Sequence, residues 1–184
     1  MKLICIGDSL TFGYGVKYNS RWTNLVSKNT GWEIVNLGVN GDTVGGMLYR
    51  YGKLTPGKND VIFIMGGIND IFYSASCETA RAGMGGLIMQ LLSSGINFAV
   101  GIPMRIGSGF YPGAWSEVVD FEGAMKLIDE YREWLMKFCT AFSVKYIDFD
   151  DGYDSSCFID GLHPDEKGHE FMAGKVINWL NSNI

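Results

Sequence analysis

Short unbroken apolar runs alternate along this chain with longer stretches in which apolar residues recur every three or four positions. Leu3-Ile4-Cys5-Ile6, Ile34-Val35 with Leu37, Val61-Ile62-Phe63-Ile64-Met65, Phe98-Ala99-Val100 with Ile102, and Tyr146-Ile147 with Phe149 are the runs. Bounded by glycine, proline and polar residues, they predict strands at 2–6, 33–37, 60–65, 97–102 and 144–149. The third lacks any polar alternation, as a central strand covered on both faces requires. Between the runs the period lengthens. Trp22, Leu25 and Val26 form a stripe that predicts a helix over 20–27 with Ser20 as its cap. A weaker helix over 43–51 carries Gly45 and Gly46. Ala80, Met84, Leu87, Ile88, Leu91 and Leu92 mark a helix over 77–93 that Gly95 stops. Val118, Phe121, Met125, Ile128, Leu135, Phe138 and Phe142 predict a long helix over 116–142. A last helix is expected from Pro164 to Leu180, proline being favourable at a helix start, with Phe171, Met172, Val176, Ile177 and Leu180 inward.

Strands alternating with helices imply parallel βαβ units with right-handed crossovers. The fold class expected is therefore α/β, a three-layer α/β/α sandwich with five parallel strands. In such a sheet all strands end on one edge, so the segments after them converge. Those segments hold Ser9, Gly41, Asn69-Asp70, the loop 103–115, and Asp160 with His163.

Composition narrows the picture. With 184 residues, 47% of them apolar and 19% charged, the chain is expected to form a single domain, 1–184. A net charge of −5 gives no basic patch, so nucleic acid is not an expected partner. Met1-Lys2 leads directly into the first strand, so no signal segment is expected, and the expected location is cytoplasmic without stable membrane association. Cys5, Cys77, Cys139 and Cys157 form no C-x-x-C pair and are expected as free thiols. Two histidines and scattered cysteines do not make a zinc site, so no metal is expected.

The convergent groups suit acyl transfer. A serine hydroxyl becomes a nucleophile when a base takes its proton and a third group orients that base. Ser9 stands in Gly7-Asp8-Ser9-Leu10, just past a strand end, where ligands bind in open α/β sheets. Of the two histidines, His169 falls inside the last predicted helix, where an exposed position is expected. His163 precedes Pro164, which biases it to a loop conformation, and Asp160 can fold back onto its ring. Donors for an oxyanion are the Ser9 and Gly41 backbone N–H groups and the Asn69 side chain. Each block also has a plain structural reading: Gly-Asp-Ser as a turn, Asp160 as a cap, Gly41 as a positive-φ glycine and Asn69-Asp70 as a turn.

Gly7-Asp8-Ser9-Leu10, the glycine of Asn40-Gly41-Asp42-Thr43, Gly67-Ile68-Asn69-Asp70 and Asp160-Gly161-Leu162-His163 resemble, in order, the four blocks of the GDSL/SGNH hydrolases. The resemblance spans about 155 residues and implies a flavodoxin-like sheet of order 2-1-3-4-5. It further implies a serine esterase with Ser9 as nucleophile, His163 as base and Asp160 as its orienting acid. Ser9, Gly41 and Asn69 become the oxyanion donors, while Asp8 and Asp70 hold neighbouring loops. Such an enzyme works through an acyl-enzyme and requires no metal or organic cofactor. Its expected partner is a small ester, with a lean toward short-chain acyl or acetyl esters. Tyr14, Phe72, Tyr73, Phe110, Tyr111 and Trp115 are candidate pocket walls, and the loop 105–116 is the expected seat of specificity. Two other classes stay open: a carbohydrate O-deacetylase or acyltransferase using the same serine, and a flavodoxin-like module binding FMN or a nucleotide. The oligomeric state is not legible.

Overall fold

The computed structural model describes residues 1–107 and 120–184. Its strands are β1 (Lys2–Gly7), β2 (Glu33–Gly38), β3 (Val61–Met65), β4 (Asn97–Ile102) and β5 (Tyr146–Asp148). All pair in parallel in the order β2-β1-β3-β4-β5, the expected one. β3 is wholly buried and β1 nearly so, whereas edge strand β2 is half-buried, which matches their apolar content.

The helices are α1 (Ser9–Phe12), α2 (Trp22–Thr30), α3 (Val44–Tyr51), α4 (Ile68–Ser74), α5 (Glu78–Ser94), α6 (Phe121–Ala141) and α7 (Glu166–Asn183). α2 packs with α7, while α5 packs with α3, α4 and α6, and α4 also meets α6. Right-handed crossovers produce this division: the chain first steps from β1 to β2, then returns past β1 to β3 and continues in that direction. The reversal makes a switch point between β1 and β3, where the loops leaving two adjacent strand ends part and open a crevice. Gly7, Gly38 and Met65 are paired in register there. The core comes from helical stripes such as Trp22 and Val26 of α2 with Met172 and Val176 of α7 on one side, and Met84, Leu87, Ile88 and Leu91 of α5 with Ile128, Tyr131, Leu135 and Cys139 of α6 on the other, all buried. Cys5, Cys77, Cys139 and Cys157 are free thiols, as expected.

Several local expectations are corrected. α2 begins at Trp22; Ser20 lies in a 3-10 turn, Tyr18–Ser20, and its hydroxyl donates to Glu166 Oε1 at 3.0 Å instead of capping the helix. α7 begins at Glu166 because Asp165, whose carboxylate accepts from the Gly168 N–H, is the cap; Pro164 stays outside, paired to Phe158 in an isolated bridge. His169 is fully buried, since α2 covers the face of α7 that carries it. Leu92, Met125 and Phe142, placed inward by their spacing, are 37%, 39% and 44% exposed because they sit at the flanks of their stripes. α1 and α4 form where the sequence suggests only turns; at four and seven residues they are too short to show a helical period. The predicted helix start at Ser116 lies outside the described residues.

Candidate active site

Ser9 is placed by a close approach. A Cβ on Gly7 would stand 2.2 Å from Thr11 Oγ1 and 2.4 Å from the Met65 carbonyl, so only glycine lets β1 end against β3 while the chain turns into α1. Asp8 caps the turn, accepting from the Leu10 N–H at 2.9 Å. Ser9 is then the first residue of α1, where its own N–H has no intrahelical acceptor. It is 8% exposed.

From the far end of the chain, Asp160-Gly161-Leu162-His163 forms a tight loop fixed by its own carboxylate. Asp160 Oδ1 accepts from the backbone N–H groups of Leu162 (3.0 Å) and His163 (2.8 Å). Asp160 Oδ2 lies 2.7 Å from His163 Nδ1, and His163 Nε2 lies 3.0 Å from Ser9 Oγ. Serine, imidazole and carboxylate thus stand in one hydrogen-bonded line. Partial burial works against an ionised Asp160. The His163 ring, its backbone N–H and that of Leu162 outweigh it and hold the carboxyl below its usual range. Tyr14 covers the imidazole, with ring centroids 4.5 Å apart and planes tilted by 48°.

The opposite wall comes from the loops after β2 and β3. Gly41 is exposed with φ +73°, a left-handed turn residue, and no described side chain or carbonyl accepts from its N–H. Asn69, in the first turn of α4, donates to the Asp42 carbonyl at 2.9 Å, and this engages one of its two amide hydrogens. The Tyr73 hydroxyl donates to the Gly41 carbonyl at 3.4 Å. Asp70 accepts from the Val44 N–H at 3.0 Å and ties α4 to the start of α3. Asp8 and Asp70 therefore hold local backbone, as the resemblance implied.

Burial, with Asp42 and Asp70 nearby, pushes the Asp8 carboxyl up to about 7 against the opposing Leu10 hydrogen bond. Burial also raises Asp70.

The structure therefore gathers Ser9, Asp160 and His163 directly, and connects Asn69 with the Gly41 turn. Phe72 packs instead beside α6, in a cleft of about 110 Å³ lined by Ile71, Ala75, Gly123 and Leu127, and none of the five site residues lines that cleft. Phe110, Tyr111 and Trp115 lie outside the described residues. Sequence reasoning missed Arg50, which pairs with Asp42 and donates to the Gly7 carbonyl at 3.0 Å, pinning the β2 loop to the end of β1. Its only sequence signal is a lone cation in the last turn of a weak helix. Among the described residues no cluster of His, Cys, Asp and Glu is arranged to hold a metal, and no helix is long and apolar enough to cross a membrane.

A serine, imidazole and carboxylate in one hydrogen-bonded line at the carboxyl-end edge of a parallel sheet are the arrangement found in serine hydrolases. The sequence matches the model of the GDSL-like lipase/acylhydrolase family over residues 5–171, and the chain belongs to that family. Solved structures agree. A member of the lipolytic protein G-D-S-L family from Veillonella parvula shares 25% identity, with all of both chains covered and a TM-score of 0.82. An aryl esterase of M. smegmatis (19% identity, 100% and 99% covered, TM-score 0.84) has the same fold. So does a carbohydrate acetylesterase from Sinorhizobium meliloti (19% identity, 100% and 99% covered, TM-score 0.83). No curated protein matches the chain in a sequence comparison.

Proposed function

We propose that this esterase acts on small soluble esters with short acyl or acetyl groups through Ser9, His163 and Asp160. The observation that carries the reading is the line Ser9 Oγ to His163 Nε2 (3.0 Å) and His163 Nδ1 to Asp160 Oδ2 (2.7 Å). Ser9 Oγ attacks the ester carbonyl as its proton passes to His163 Nε2, and Asp160 holds the imidazolium in place. The negative charge that builds on the carbonyl oxygen is met by the Ser9 and Gly41 N–H groups and by the Asn69 amide hydrogen that Asp42 leaves free. Collapse of the tetrahedral adduct breaks the bond to the alkoxide, which takes the proton from His163 and departs as alcohol. Water, deprotonated by His163, then attacks the acyl-Ser9 ester and releases the acid, restoring the hydroxyl.

The test is hydrolysis of p-nitrophenyl acetate by the purified chain, with Ser9→Ala inactive yet folded and an organophosphate labelling Ser9 stoichiometrically. Retained activity in Ser9→Ala, or a label elsewhere, overturns the reading. An acyl-length series run beside acetylated saccharides identifies the leaving group. Faster turnover of the saccharides would make the carbohydrate O-deacetylase the better description.

A further inference from the structure

His169 takes no part in the line from Ser9 to Asp160, yet it is fully buried in α7. Its Nδ1 accepts from the Trp22 backbone N–H at 3.3 Å. The proton this leaves on Nε2 has no partner among the described residues, and a buried donor without an acceptor lowers stability. A leucine would fill the site without that loss, so what the imidazole supplies is the acceptor.

That acceptor meets a need created by α2. Trp22 is the first residue of the helix, and N–H groups in a first helical turn have no acceptor within it. Arg21, at the cap position, makes no side-chain cap bond. His169 therefore caps α2 from another helix. On its other side the Trp22 indole N–H donates to the Leu10 carbonyl at 3.0 Å. The Gly13 and Tyr14 N–H groups both turn to the Ser9 carbonyl, which leaves the Leu10 carbonyl to the indole. A one-turn helix has few bonds of its own, and this one is made by the residue next to Ser9. Arg21 adds to the contact with its guanidinium 4.2 Å from the centre of the Phe12 ring, and Ser20 donates to Glu166. The start of α2 is wedged between the turn that carries Ser9 and the helix that begins three residues after His163.

We propose that His169 is a positioning residue for this reaction: acting through Trp22, it sets where the Ser9 turn stands relative to His163. The proposal rests on the reading of Ser9 and His163 given above and extends it to a residue that touches neither substrate nor triad. Its leverage is geometric. The Ser9–His163 separation is 3.0 Å, and a misplacement of about 1 Å at reacting groups can cost as much as about 10²-fold in rate.

The experiment compares wild type, His169→Leu, His169→Asn and Trp22→Phe in kcat and KM on p-nitrophenyl acetate, with near-ultraviolet circular dichroism and melting curves for each. Leucine removes the acceptor, and kcat falls about tenfold with KM held within about twofold. Asparagine returns an oxygen near the Nδ1 position and restores kcat to within about threefold of wild type. Trp22→Phe removes the indole donor together with part of a fully buried ring, keeps an aromatic ring at the Phe63 contact, and repeats the kcat loss while its melting curve reads the cost of the lost volume. His169→Leu and Trp22→Phe combined cost no more than the larger single change, because both cut one path. Equal kcat in His169→Leu and His169→Asn, or wild-type kcat in Trp22→Phe, overturns the proposal. Should His169→Leu fail to fold, Trp22→Phe decides alone. A fully active Ser9→Ala refutes the reading of the site and the proposal with it. An inactive Ser9→Ala beside an unaffected Trp22→Phe refutes the proposal only.

Discussion

Asp8→Asn tests the electrostatics beneath the nucleophile. Asp8 is 2% exposed, and burial together with Asp42 and Asp70 moves its carboxyl from 3.8 to about 7. Between those values the folded chain keeps a proton that the unfolded chain has lost, so stability falls as pH rises. At 1.36 kcal/mol per pH unit the whole displacement amounts to about 4 kcal/mol. His169 does the opposite. Burial, with the Arg21 charge adding, lowers it from 6.5 to about 4. There the unfolded chain binds the proton, so this contribution is intact above 6.5 and is lost as pH falls toward 4, a change of about 3 kcal/mol. Across pH 4 to 6.5 the two slopes are equal and opposite, and their sum is nearly flat. Asparagine at 8 can still accept from the Leu10 N–H but has no charge to bury. Urea unfolding at pH 4, 5, 6 and 7.5 should find Asp8→Asn close to wild type at pH 4 and more stable by about 4 kcal/mol at pH 7.5. His169→Asn should mirror it, gaining on wild type by about 3 kcal/mol as pH falls from 7 to 4. A stability difference that stays constant from pH 4 to 7.5 in Asp8→Asn would refute the argument, because a buried ionisable carboxyl cannot give one.

Asn69→Ala removes a proposed oxyanion donor and should lower kcat about 10²–10³-fold with little change in KM, measured on p-nitrophenyl acetate. His163→Ala should lower kcat about 10⁴-fold, far beyond the effect at His169; the reverse ranking would reassign the base. Arg132 is 1% exposed and holds Asp148 at 2.9 Å, joining α6 to the end of β5. Arg132→Met takes the cation from Asp148, which is partly exposed and keeps the Asp150 N–H, and should cost about 1–3 kcal/mol in urea unfolding at neutral pH.

The sheet and the helices of three turns or more were legible because apolar periodicity records burial directly. β4 falls on residues 97–102 as expected, since its run is bounded by Gly95 on one side and Pro103 on the other. The site was legible for a different reason. Four short blocks, each ordinary alone, become specific in order, and a parallel sheet guarantees that strand ends meet. The burial of His169 was not legible, because a helical residue's exposure depends on which neighbour covers its face. Nothing in the spacing of α7 says that α2 lies against it.

What the sequence determined by itself is the alternation of strand and helix, and with it the edge of the sheet on which Ser9, Gly41, Asn69, Asp160 and His163 gather. Those follow from local periodicity and turn chemistry, which are properties of neighbours along the chain. Only the tertiary structure decided the distances and partnerships across it. Arg50 pins the Gly41 loop to Gly7, Tyr14 lies against the His163 ring, and the buried His169 reaches the Ser9 turn through Trp22. The Arg50–Gly7, Tyr14–His163 and His169–Trp22 contacts join residues between about 40 and 150 positions apart, and contacts that remote are fixed by how whole elements pack.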